Sequence, residues 1–393
     1  MKENNLIHRK CFICQDINNI GLAKVPYLFP LYSKDIVYKH NLVKCRKCCN
    51  YYINPTLSED LISKYYETQT SYEINDTKTT ILDSYELKSE QQKKFVKSNI
   101  DVSHKTILDF GCATAYTLNK FKENTTKLIG FDTSKECSLI AKEKYDIEVF
   151  TEYSEIENYR YDLVMLSHVL EHLISPYEVL NGLTELMNKE AYLYIEVPYI
   201  ESFEELDDEE IFGHISFEHL NYFNKTNLSN LMRKLGFKEI KLDIAKNDNG
   251  TMPNYPVILS LWQLTEKKEF RFENSESISF ENYLKNEDNK LNEFNELVEN
   301  KVNKKRIIIY GTGTHTYRLL AMCSSLKENI IGFSDGNNKK YSENSFYGLP
   351  CKAIEDFDHE SYDSILISSK ASENEIYDTL KNKTSKEIIK IYG

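Results

Sequence analysis

Residues 107–115 read ILDFGCATA, and LIGFD follows at 128–132. An apolar strand ends at Asp109-Phe110 and gives way to Gly111, then to the small residues Cys112 and Ala113 ahead of a helix. Such a turn lets backbone amides and a helix N-terminus approach a ligand closely. Asp132 ends the next strand, followed by Thr133, and a carboxylate at that place can accept both hydroxyls of a ribose.

The alternation continues in both directions. Short apolar runs at 106–110, 127–132, 148–150, 161–167 and 192–198 are separated by amphipathic stretches, with the first helix expected from about Ala115 to Lys122. This is the pattern of β-α-β units on a parallel sheet. FKEIKLDI (237–244) and YPVILSLWQL (255–264) suit an antiparallel pair closing that sheet. Farther on, IIIYGTGTH (307–315) and IIGFSD (330–335) partly repeat ILDFGCATA and LIGFD, with Asp335 in the place of Asp132. The fold class is therefore α/β, with a Rossmann-like core and a second Rossmann-like unit. Expected boundaries are a module at 1–60, a helical connector at 61–100, the core at 101–265, a charged helical linker at 266–304 and the second unit at 305–393.

The chain has 393 residues, 41% of them hydrophobic, and a formal net charge of −12. That charge repels polyanions, and no basic block interleaved with aromatics offsets it, so nucleic acid is not expected as a partner. No apolar run approaches the roughly 20 residues of a membrane span, and MKENNLIHRK lacks the apolar stretch of a signal peptide. The expected location is the cytoplasm, with no membrane partner.

Four of the nine cysteines form two CxxC pairs, Cys11/Cys14 and Cys45/Cys48. Two thiolates three positions apart reach one ion from a tight turn, and two such turns complete a closed tetrahedral shell. A structural Zn²⁺ is expected, in a module stabilised by metal more than by a core. Cys49 is a spare that could replace Cys48.

YDLVMLSHVLEHLISPYEVLNGL (161–183) followed by YLYIEVP (192–198) resembles class I methyltransferases. The resemblance implies S-adenosyl-L-methionine as cofactor, with Asp109, Gly111, Cys112, Ala113, Asp132 and Thr133 around it, and Ser167 and His168 at its edge mainly through backbone contacts. His172 reads as packing or capping at a helix start. With the CxxC pairs before the core and FEHLNYFNKTNLSNLMRKLGF (217–237) after it, the whole chain resembles the sugar methyltransferases typified by the 3-C-methyltransferases of deoxysugar biosynthesis. That implies a nucleotide-linked sugar, or a related small sugar, as substrate.

Two departures from that family stand out. Its further glycines are Ala113 and Ala115 here, and its Tyr-His-Glu-His run reads Ser216-Phe217-Glu218-His219. The retained His219 is the expected general base, and Glu218 would orient it or hold a sugar hydroxyl. Ser216 is too short to take a tyrosine's place at an enolate, which leaves O-methylation beside C-methylation. Two other classes compete. The GTG turn at 311–313 suits an NAD(P)-dependent sugar oxidoreductase, and the CxxC pairs suit a zinc-dependent interaction protein with an inactive methyltransferase fold.

Overall fold

A computed structural model describes residues 6–28, 37–62, 79–123, 125–206, 210–247, 254–266, 269, 271–337 and 345–392. The expected connector at 61–100 lies partly outside them. Near the N-terminus, β1 (Asn19–Leu28), β2 (Val37–Cys45) and β3 (Tyr51–Ile53) form an antiparallel sheet. A long helix, α1 (Thr79–Asn99), leads into the core. There β4 (Thr106–Phe110), β5 (Lys127–Phe131), β6 (Glu148–Phe150), β7 (Tyr161–Ser167) and β8 (Met187–Pro198) are mutually parallel. β9 (Asn221–Tyr222) leaves this sheet and adds to the N-terminal one beside β3. After helix α2 (Lys225–Leu235), β10 (Phe237–Asn247) and β11 (Tyr255–Leu264) complete the main sheet in the order β10-β11-β8-β7-β4-β5-β6, with β11 antiparallel to both neighbours.

The interiors of the strands follow from composition. Ile107, Leu108, Leu163, Val164, Met165, Leu166, Ile195 and Val197 are all buried, as expected of a parallel sheet covered on both faces. The helix after β4 is shorter than expected, Tyr116–Asn119. Beyond it the amides of Lys120, Phe121 and Lys122 bond three residues back, so the chain reaches Lys122 in tight turns rather than α-helix. The expected linker helix also starts late. Helix α3 runs over Ile278–Val302 behind an N-cap at Ser277, and the stretch before it is pinned in non-helical form by polar side chains of α2 and its cap. Asn230 exchanges two bonds with the Glu273 backbone, and Asn224 donates to Ser275 O. After α3, β12 (Ile307–Tyr310), β13 (Ile330–Ser334), β14 (Ser364–Ile367) and β15 (Glu387–Ile389) make a second parallel sheet in the order β13-β12-β14-β15.

The N-terminal module is joined to the core more closely than expected of a metal-held appendage. Cys11, Phe12, Ile13, Val43, Cys45, Cys48 and Tyr52 belong to the same apolar cluster as Leu108, Val164 and Trp262. Arg9 makes the polar part of the seam. It is buried; its guanidinium donates to Ile53 O, Leu220 O and Asn221 Oδ1, while Asn221 Nδ2 donates to Leu170 O and Leu173 O. Arg9→Ala leaves those acceptors without their donor inside the protein, and should cost about 2–3 kcal/mol of unfolding free energy in a denaturant titration. A change below about 0.5 kcal/mol would contradict this role.

Candidate active site and thiolate cluster

The turn after β4 is held by the strand beside it. Gly111 N and Cys112 N both donate to Phe131 O. Gly111 has φ of 81°, and a Cβ there would lie 2.5 Å from Val169 Cγ2, so only glycine fits. Ala113 and Ala115 also have positive φ, 45° and 59°. The two alanines thus hold the left-handed conformation that glycine takes more readily. Asp132 closes the loop, accepting from Ala113 N through Oδ2 and from Ser134 N through Oδ1, both at 2.9 Å. One carboxylate therefore sets the glycine turn and the start of the following helix, and each oxygen keeps a further lone pair for a ligand. Thr133 is exposed beside it. Cys112 contributes its backbone here, since the thiol is buried against Gly130.

Asp109 lies one layer below and is buried. Burial and then the charge of Asp132 push its carboxyl up to about 7. In the unfolded chain such a group ionises near 4, so the folded protein binds the extra proton, and stability falls as pH rises from about 4 through 7. Asp109→Asn should therefore raise the thermal midpoint of the ligand-free protein at pH 8, by the equivalent of about 2 kcal/mol or more, and change it little at pH 4. Equal shifts at both pH values would show that Asp109 is not held protonated.

At the end of β7 the chain turns through His168, whose φ is 55°. Its ring lies between two buried carboxylates, with Nδ1 at 3.1 Å from Glu171 Oε1 and Nε2 at 3.1 Å from Glu196 Oε1. Burial and Lys88 oppose its protonation, yet the two carboxylates outweigh them and raise its pKa. Glu196, in YIEVP, also accepts from Gln92 Nε2, Asn247 Nδ2 and Tyr194 OH at 2.5, 2.5 and 2.8 Å. Burial alone would raise both carboxyls; Lys88, His168 and Gln92 hold Glu196 at about 2, and His168 holds Glu171 there too. Ser167 Oγ joins the network through Gln92. So Ser167 and His168 are engaged through side chains as well as backbone.

His172 and His219 meet on the far side of Glu171. Their rings are T-shaped with centroids 4.9 Å apart, and His172 Nε2 is 3.9 Å from Glu171 Oε1. Burial, then the neighbouring His172, hold His219 down at about 3, so it is a neutral imidazole. The part of Glu218 in this contact is its main-chain oxygen, 3.1 Å from His172 Nδ1. Its side chain helps line a small pocket with His40, Thr56 and Phe217. His40 stacks on Phe217 at 5.2 Å and comes from β2, the strand that ends at Cys45.

The four CxxC sulfurs converge. Cys11, Cys14, Cys45 and Cys48 lie with their Sγ atoms all within 4.8 Å of one another, the Cys11–Cys48 and Cys14–Cys45 pairs at 3.5 and 3.4 Å. Sulfurs about 2.3 Å from a tetrahedral zinc are about 3.8 Å apart, so the cluster is compatible with that ion. The two turns are alike. Gln15 and Cys49 follow their pairs with φ of 62° and 57° and donate to Cys11 O and Cys45 O. Cys49 therefore occupies the place of Gln15, outside the cluster.

Residues 85–242 match the family model of a methyltransferase domain. They are a class I S-adenosylmethionine-dependent methyltransferase domain. Residues 303–390 match a family described as C2185-like, N-terminal. The chain has curated relatives of two kinds. A tRNA U34 carboxymethyltransferase of Campylobacter lari is 28% identical over 130 residues, 29% of this chain and 44% of that protein. C-methyltransferase NovU of Streptomyces niveus is 24% identical over 233 residues, 57% of this chain and 50% of that protein. The chain thus spans about half the length of these two relatives. Among solved structures, the magnesium protoporphyrin IX methyltransferase of Synechocystis with bound S-adenosylhomocysteine is 11% identical with a TM-score of 0.42, covering 53% of this chain and all of that one.

Glu171, His172, Glu196, Gln92 and Asn247 were not legible as site residues. For the first two a signal existed in the sequence, because His168, Glu171 and His172 have the i, i+3, i+4 spacing that brings side chains together, although the chain meets it here with a left-handed turn at His168 and not an α-helix. Gln92 and Asn247 join only through tertiary packing.

Proposed function

We propose that the protein transfers a methyl group from S-adenosylmethionine to a sugar carried on a nucleotide, at a carbon beside a ketone or at a hydroxyl oxygen. The observation that carries this reading is the continuous line from the cofactor loop to His219. Gly111 is packed under Val169, His168 precedes it in the same turn, and Glu171 links His168 to the His172–His219 pair. The relation to a C-methyltransferase supports transfer to carbon, while the sugar acceptor rests on the sequence resemblance to the sugar methyltransferases. The residues fit the cofactor: a left-handed glycine turn that lets the backbone approach a ligand closely, and a carboxylate with lone pairs remaining for a ribose.

When bound, the cofactor supplies an electrophilic methyl on a sulfonium. The protein's share is placement and proton handling. Asp132 and the turn at 111–113 hold the nucleoside. His168, fixed by Glu171 and Glu196, sets the wall between cofactor and acceptor. His219 acts on the acceptor's proton, with Glu218 beside it. The four thiolates hold one structural zinc that keeps β2, and with it His40, against the acceptor side. The tRNA-modifying relatives favour a second reading, a tRNA acceptor; the net charge of −12 opposes it.

Three outcomes test this. Asp132→Ala should weaken S-adenosylhomocysteine binding more than tenfold in calorimetry, since two charge-assisted ribose bonds are each worth about 1.5–3 kcal/mol; unchanged affinity places the cofactor elsewhere. Elemental analysis of protein prepared without chelators and washed of loosely held metal should give one zinc per chain, and a zinc-free result would leave the thiolate cluster without its ion. With 4-keto and fully hydroxylated nucleotide hexoses and tRNA as acceptors, methyl transfer followed by mass should occur on a hexose and fall by about a hundredfold or more in His219→Ala. Transfer to tRNA alone would overturn the sugar assignment.

A further inference from the structure

We propose that Glu171, His172 and His219 bind a second divalent transition-metal ion, separate from the four-thiolate site and open toward the acceptor. Each of the three offers one ligand atom, and those atoms all lie within 4.8 Å of one another. Two imidazoles and a carboxylate form the donor set of open metal sites, in which three protein ligands leave a coordination position for substrate. Imidazole donors favour zinc, copper, iron or nickel over magnesium and calcium, which prefer oxygen ligands.

Two independent observations point to a ligand here. Glu171 is 1% exposed, and its Oε2 has no hydrogen-bond partner among the described residues. A buried carboxylate oxygen left bare is costly unless something occupies it. The orientation of the ligands is also built in. His172 Nδ1 sits 3.1 Å from Glu218 O, which fixes the proton on that nitrogen and puts the lone pair on Nε2, the atom 3.9 Å from Glu171 Oε1. Glu171 Oε1 is itself held by His168 Nδ1, and His168 by Glu196. Metal-binding histidines and carboxylates are characteristically fixed by such outer partners.

The assignment rests on the methyltransferase reading for its role and deepens it. A sugar hydroxyl oxygen on the ion would lose its proton to water more readily before attacking the methyl carbon. A ketone oxygen on the ion would carry the negative charge left when the neighbouring carbon gives its proton to water. His219 then acts on the acceptor's proton through the ion.

The test uses the full chain with its thiolate zinc in place, washed of loosely held metal and titrated with Co²⁺. One further equivalent of cobalt should bind, with visible d–d bands and none of the intense sulfur-to-metal absorption that cobalt in the thiolate site would give. His172→Gln and His219→Gln should each lose that equivalent while keeping the zinc and the far-ultraviolet circular dichroism of the parent. Failure of the wild-type chain to bind a further equivalent, or retention of it by both variants, would overturn the proposal. Calorimetry with S-adenosylhomocysteine on the same samples separates the two ideas. Homocysteine-nucleoside binding without the cobalt equivalent removes the metal site alone, and cobalt binding without nucleoside binding removes the methyltransferase reading of its role.

Discussion

A carboxylate with no solvent exposure in the middle of a sheet must be surrounded by donors, and Glu196 is placed that way. Its partners come from separated parts of the chain. Gln92 belongs to α1, Tyr194 to the same strand, Asn247 to the far end of β10, and His168 to the turn after β7. Removing any one leaves a charge in the core partly unpaired, which is why such networks specify one arrangement. The helix before the core, the last strands of the sheet and the turn beside the glycine loop at 111–113 are thereby fixed to a common point. His168 can hold a left-handed backbone at this position because its ring is gripped from both sides.

The N-terminal module meets the same turn from the opposite direction. β9 leaves the core to pair with β3, and Asn221 on it reaches three carbonyls of the turn at 170–173. Leu220 N also donates to Glu171 O. The segment carrying Glu218 and His219 is therefore strung between the thiolate module and the turn that carries Glu171 and His172. A structural ion in the module would act on the chemistry by holding this segment, though it lies outside the site. β2 has the same double part, with Cys45 at its end and His40 beside Phe217.

The core strands were legible because parallel strands buried on both faces are continuous apolar runs with sharp ends, and β4, β6 and β7 begin and end where the sequence places them. The CxxC pairs were legible because their geometry is local. Charge and polarity from 266 onward match a solvated helix; residues 271–277 are instead non-helical beside α2, held by Asn224 and Asn230, whose burial no local pattern reveals. The candidate site was half legible for the same reason. Asp132, Gly111 and His168 sit in motifs, whereas Glu196 and Gln92 matter only through what the fold brings to them. His172 looked like a capping residue until His219, 47 positions later, was placed against it.

The repeated loop motif shows how one turn geometry can be left open or closed on itself. In both sheets a left-handed glycine ends the first strand and an aspartate at the end of the second accepts from the loop, Asp132 from Ala113 N and Asp335 from Thr312 N. The neighbouring side chains differ. Ala113 has nothing further to donate, so Asp132 keeps acceptor capacity toward a ligand. Thr312 adds its hydroxyl to the same Oδ2 of Asp335 at 2.6 Å, while Asn337 N takes Oδ1 as Ser134 N takes that of Asp132. Thr316 turns its hydroxyl back onto Gly311 O and meets Ser368. Threonines thus satisfy from within what a ribose would satisfy from outside. The same backbone path leaves both oxygens of Asp132 with acceptor capacity and takes up that of one oxygen of Asp335, which weakens the case for a nicotinamide dinucleotide at 311–313.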